Sequence, residues 1–254
     1  MNAWTFPAAP QTVIPEPLQT IFLWATIVAV AVILVWSLLI AKKYRSAVPV
    51  LMVGGGFTAI VLEPIVTYLG HAVHPVAGQI ATFTAVERTI PWHITLGYTA
   101  GFGLYYLLLY PKMVAGTVTS SLLWKTTFVT ALCYFLGEAY PVSHGLWIYY
   151  DHQPLHIWKG TAPLVWNFLN AACMLMGAAL IHLLLPQLKG IKQLLVLVLA
   201  PMGALMGHMG AGWPMYNVMN TNAPGWMIEA SGVAVILLVF LTVWICSAIM
   251  TRPR

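Results

Sequence analysis

Six acidic side chains occur in 254 residues, and three of them, Glu63, Glu138 and Glu229, lie inside or at the edge of long apolar runs. Asp151 falls in a polar stretch, 137–163, which also carries His144, His152, His156 and Lys159 among Tyr140, Trp147, Tyr149, Tyr150 and Trp158. His93 and His208 are embedded in apolar sequence. Carboxyl and imidazole groups withdrawn from water can hold, deliver and accept protons, which suits isomerisation, cyclisation or dehydration without a cofactor. Inserting such a group at the centre of a membrane helix costs about 2.5–3.5 kcal/mol, so it usually faces a bundle interior or a wet cavity.

The elements that must position these groups follow from composition. Hydrophobic residues make up 60% of the chain, charged residues 7%, and mean hydropathy is +0.84. These values exclude an ordinary soluble domain, and the apolar runs are long enough to cross a bilayer. The expectation is an all-α, polytopic membrane protein in the cell membrane, one integral-membrane domain over 1–254 with seven spans. The spans are expected near 20–40, 47–70, 91–112, 120–140, 162–185, 194–213 and 226–250, bounded by Lys, Pro and polar loops. Residues 1–19 are rich in proline and lack Lys and Arg, so they read as an extramembrane tail and not as a secretory signal.

The net charge of +5 points to topology and not to nucleic acid, because the basic residues sit at span ends. Lys42, Lys43, Arg45, Lys112, Lys125, Lys189, Lys192, Arg252 and Arg254 fall on one side, against Arg88 and Lys159 on the other. That bias sets the N-terminus outside and the C-terminus in the cytoplasm. Cys133, Cys173 and Cys246 lie within spans without paired spacing, so they read as small apolar residues.

On this topology the acidic residues and nearly all the histidines sit toward the outer face. Glu63 is seven residues from the end of its span, roughly 10 Å of helix. Glu63, Glu138, Glu229, His93 and His208 come from five spans at similar depth, which points to a shared pocket opening outward, with stretch 137–163 as its cover. Glu63 is the expected general acid, Glu138 or Glu229 the partner carboxylate, and His93, His208 and Asp151 the relays. Asn167 and Asn170, three apart on one helix face, would bind substrate oxygens. Trp147, Tyr150, Trp166 and Trp213 would line an apolar pocket, although rings at this depth also form ordinary interfacial belts. The expected partners are a lipophilic small molecule and membrane lipid, with no cofactor and no metal. A transporter or lipid-binding subunit would use the same acids, but the cytoplasmic half is nearly bare of polar groups. A histidine-ligated metal is the lesser alternative, on the spacing of His71 with His74 and of His152 with His156.

Four segments, LEPIVTYLGHAVHP, IPWHITLGY, YYDHQPLHIWKGTAPLVWNFLNAA and GAGWP, resemble the avermectin-type membrane spirocyclase family over about residues 50–215. The resemblance implies spiroketal formation or dehydration of polyketide-like substrates. The chain departs from the family pattern at Thr67, where an acidic residue is expected, and at Asp151 and His152, where glycine is expected. Fungal integral-membrane meroterpenoid cyclases are similar in size and seven-span architecture, and by that analogy Glu63 and Glu229 would act as acid and base.

Overall fold

A computed structural model describes residues 5–158 and 160–252, and within them the chain is mostly helical. Lys159 and Arg254, both part of the charge asymmetry, lie outside the described residues. The helices are α1 (Glu16–Tyr44), α2 (Val48–Thr58), α3 (Glu63–Leu69), α4 (Trp92–Ala115), α5 (Ser120–Ser143), α6 (Leu164–Leu184), α7 (Val196–Met219) and α8 (Gly225–Met250). A 3-10 turn, Ala59–Leu62, joins α2 to α3 into one rod. Five helical rods are long and apolar enough to cross a membrane: Glu16–Tyr44, Val48–Leu69, Leu164–Gln187, Gly190–Met219 and Gly225–Met250. The other two, α4 and α5, have 24 residues each, about 36 Å of helix, but carry more Tyr, Thr, Ser and Gly.

Several boundaries differ from expectation because proline does not end these helices. Pro111, Pro141, Pro201 and Pro214 all lie within helices, and α7 runs on through Pro214 to Met219. Proline removes one backbone donor, and packing against neighbouring helices sustains the rod around it. At the other end of the chain, α1 starts at Glu16, so the last part of the expected tail is helical.

The centre of the bundle is the contact of α6 with α7, which small residues allow to become intimate. A Cβ at Gly203 would collide with the Gly177 backbone, and one at Gly207 would meet the Ala172 carbonyl and Cys173. Close backbone approach of this kind is how membrane helices gain packing energy without a hydrophobic drive between them. The run Gly54, Gly55 and Gly56 does the same for α2, bringing it against Leu197 and Ala200 of α7 on one side and Phe102 of α4 on the other. Around this core, α1, α5 and α8 expose apolar side chains such as Val32, Leu39, Leu132, Leu136, Leu237 and Trp244, the surface a bilayer would cover.

One end of the bundle is closed by a cap absent from the expected outline. Strand β1 (Ala72–Val73) pairs antiparallel with β4 (Ile148–Tyr149), and β2 (Ala81–Ala85) with β3 (Arg88–Pro91). The N-terminal segment lies against it, with the Ile14 N–H bonded to the Ala77 carbonyl at 3.0 Å and Phe6 stacked on Tyr68. Stretch 137–163 thus supplies a cover strand, β4, as expected of a lid.

Replacement of Gly207 by Leu would force α6 and α7 apart, and overpacking of this kind costs typically about 1–3 kcal/mol or more. Thermal unfolding of the purified protein in detergent should show a clear drop in midpoint for Gly207→Leu and little change for Gly210→Leu, whose Cβ would meet nothing within 4 Å.

Candidate functional site

Beneath the cap lies a cavity of about 230 Å³, at the end of the bundle away from Lys42, Lys112, Lys125 and Lys189. Five helices contribute residues at helical spacing: Phe22 and Thr26 from α1, Glu63, Val66 and Thr67 from α3, His93, Ile94, Gly97 and Tyr98 from α4. Tyr134 and Glu138 come from α5, and Trp166, Asn170 and Cys173 from α6, while His74, Trp147 and Tyr149 close the site from the cap.

Glu63 opens α3 immediately after the 3-10 turn, and its N–H bonds the Ile60 carbonyl, one residue tighter than an α-helix would have it. Pro64 follows and has no N–H to compete for that carbonyl. The carboxyl group is 9% exposed and fully engaged: His74 Nε2 lies 2.8 Å from Oε1, and the Tyr98 hydroxyl donates to Oε2 at 2.6 Å. Glu138, also 9% exposed, is held more loosely. The Tyr149 hydroxyl donates to its Oε2 at 2.9 Å, with Trp147 Nε1 at 3.4 Å, and Asn170 Nδ2 reaches Oε1 at 3.4 Å. Burial, reinforced by the neighbouring Glu138, pushes the Tyr149 hydroxyl well above its usual 10.0, so it remains a donor.

Two imidazole nitrogens in the wall have no partner among the described residues, Nδ1 of His74 and Nε2 of His93. A buried polar atom without a partner is costly and is retained where it serves a ligand or a reaction. Nε2 of His74 is committed to the Glu63 carboxylate, so Nδ1 is the ring nitrogen left to meet another group.

The structure thus brings Glu63, Glu138, His93, Asn170, Trp147 and Trp166 to one cavity, and it separates the other expected residues from it. Glu229 pairs with His152 at 2.8 Å and accepts the Leu155 N–H at 2.9 Å, so it fastens the cap loop to the start of α8. Asp151 sits 3.2 Å from Nδ1 of His71, on the far side of β1. His208 accepts from or donates to the Tyr216 hydroxyl at 2.9 Å and packs on Trp166, behind the wall. Asn167 reaches back to the Pro163 carbonyl at the helix start, Tyr150 accepts from Arg88 at 2.7 Å, and Trp213 is 53% exposed on the outer surface of α7. The paired histidine spacings are split in the same way, since His71 faces Asn220 and Asp151, and His156 faces the Thr161 carbonyl. Among the described residues no three His, Cys, Asp or Glu side chains converge on a point.

Sequence reasoning did not assign His74, Tyr98 or Tyr149 to the site. Tyr98 lies one turn after Ile94 and beside Gly97, on the face that His93 begins, which is a legible signal. His74 and Tyr149 arrive through the β1–β4 pairing, a long-range contact with no local signature. Gln153 was also missed: its buried amide donates to the carbonyls of Gly70, His71 and Tyr150 and accepts from Trp166, which pins the cap to the helices.

Comparison of the chain with protein-family models, with curated proteins and with solved structures gave no match. The cap, in turn, carries a titratable group. Burial lowers His71 below its usual 6.5, and the Arg88 charge adds to this, against the opposing pull of Asn220 and Asp151. A base with a depressed folded value is neutral in the fold, so its contribution to stability is present above 6.5 and is lost as pH falls through the folded value. Hydrogen-exchange protection factors at 70–74 and 148–153, referenced to the intrinsic exchange rate at each pH, should therefore fall as pH drops below 6.5, and His71→Gln should flatten that dependence.

Proposed function

We infer that the chain is a seven-span membrane enzyme, N-terminus outside and C-terminus cytoplasmic, which carries out cofactor-independent acid–base chemistry on a lipophilic substrate. The reading rests on one observation above the others: two buried glutamates and two histidines, each histidine with one unpartnered ring nitrogen, line a single, mostly apolar cavity. The basic residues at the opposite end support the orientation. The lengths of α4 and α5 support their counting as spans beside the five more apolar rods.

The reaction class is cyclisation or dehydration, as the resemblance to membrane spirocyclases implies. Glu138, loosely held, delivers a proton to a substrate oxygen or alkene. An internal hydroxyl, or a second alkene, closes on the resulting electron-poor carbon, or water leaves. Nδ1 of His74 takes the proton released, with Glu63 orienting the ring and stabilising the imidazolium. One proton enters and one leaves, so the step needs no redox partner. Glu63 acts in this scheme through His74 and not directly on substrate, because both of its oxygens are occupied at 2.8 and 2.6 Å. Trp147, Tyr149 and Trp166 present ring faces and edges to the cavity, which suits a developing cation.

Mass spectrometry of polyketide and terpenoid precursors incubated with the protein in lipid discs tests this. Glu138→Gln, Glu63→Gln and His74→Gln should each lower turnover by about 10²–10⁴ while the variants keep their fold. A Glu138→Gln protein with unchanged turnover would sink the assignment. The competing reading is transport, and a proteoliposome flux that needs Glu63 but returns the ligand chemically unchanged would favour it.

A further inference from the structure

Helices α4 and α5 follow one another in the chain yet pack elsewhere, α4 on α1, α2 and α6, and α5 on α6 and α8. Between them runs a second cleft of about 400 Å³, floored by Met174 of α6. Gly97, Tyr134 and Glu138 line both this cleft and the capped cavity, so the two adjoin at Glu138. From Gly97 the cleft runs along α4 to Leu108, eleven residues or about 16 Å, roughly half the hydrocarbon thickness of a bilayer. Its rim, with Leu104, Leu108, Val129 and Cys133, is exposed on the side of the bundle and not at its end.

Two glycines at this cleft, Gly97 and Gly137, serve no helix packing. At Gly55, Gly203 and Gly207 a Cβ would strike a neighbouring helix, so glycine there serves packing. At Gly97 and Gly137, on opposite walls of the cleft, a Cβ would meet nothing within 4 Å. Both have negative φ, within ordinary helix, so neither the backbone nor packing calls for glycine at these two places. Each also carries a cost of about 1 kcal/mol against alanine in a helix interior. What they leave is room beside the acid.

We propose that the α4–α5 cleft is the lateral port and chain-binding subsite of this cavity, taking the slender hydrocarbon part of a substrate whose single oxygen-bearing end sits between Glu138 and His74. The substrate class is then a long-chain amphiphile drawn from the membrane and not a compact polar metabolite drawn from water. This rests on the acid–base reading for the polar end only. The apolar walls and the sideways opening argue for the chain independently.

The test uses the full-length protein in lipid discs and, as probe, a long-chain primary alcohol with a diazirine at its methyl end. Photolabelling should mark residues of α4 and α5 between 104 and 133, in addition to the general lipid-facing surfaces of α1 and α8. Gly97→Leu and Gly137→Leu, which would fill the cleft without striking a helix, should each reduce cleft labelling roughly tenfold and leave α1 and α8 labelling unchanged. Gly210→Leu, on α7 outside the cleft, is the folding control and should label as wild type does. Cleft labelling that neither Leu variant reduces, or labelling no denser there than on α1 and α8, overturns the proposal. Cleft labelling sensitive to both Leu variants, found together with undiminished turnover by Glu138→Gln, leaves the port standing and removes the acid–base reading.

Discussion

A carboxyl group buried among apolar helices has to be bonded, and the contact of Glu63 with His74 is the constraint from which the capped end of this protein follows. The partner lies only eleven residues downstream, so the chain must reverse directly after α3. Gly70 lets it do so against the Trp166 ring, where a Cβ would collide, and His71 takes a left-handed backbone with φ of 50°. The reversal leaves the carbonyls of Gly70, His71 and Ala72 without helical partners. Gln153 satisfies the first two and Arg88 the third, while the Tyr150 N–H adds a bond to the His71 carbonyl. Stretch 137–163 is thereby drawn across the bundle end, and Tyr149 arrives with it at Glu138. Cover and cavity wall are one construction.

How much of this was legible in the sequence differs by length scale. The rods were, because apolar runs punctuated by Lys and polar loops leave little choice. The errors at Pro141 and Pro214 came from treating proline as a stop in an environment where neighbouring helices hold the rod together. Depth along the chain located Glu63, Glu138 and His93, since topology makes depth a one-dimensional quantity. It could not separate Glu229 from them, because Glu229 has the right depth but lies beside the cap loop and bonds His152. Facing is a property of helix rotation, and the near-uniform hydrophobicity of membrane helices hides it. Cap residues were hardest of all. A two-residue strand such as β1 or β4 carries no periodicity, and the pairing that delivers His74 and Tyr149 joins segments more than seventy residues apart.

The polar stretch 137–163 first draws attention by its charges, yet most of those charges do structural work. His152 and Glu229 hold the loop to α8, Asp151 meets His71, and His156 turns the loop on the Thr161 carbonyl. Its contribution to the site is aromatic, through Trp147 and Tyr149, together with Glu138 at its membrane edge. Charge density in a loop therefore marks the lid, and burial marks the chemistry.

Chemistry is favoured over transport by what lies beneath the cavity. Transport needs a second opening toward the opposite face. Below Phe102 the bundle is filled by Tyr106, Leu107, Leu109, Met113 and Leu123, all with essentially no exposure, and the Tyr106 hydroxyl is wedged against Gly177 where α6 and α7 touch. Opening a path there would require separating the two helices whose backbones are in closest approach, the least yielding contact in the bundle. The cavity instead adjoins a lateral cleft, beside glycines that pack against nothing. A site closed to one face, capped at the other and open to the membrane suits a molecule that enters from the bilayer, exchanges protons and returns to it.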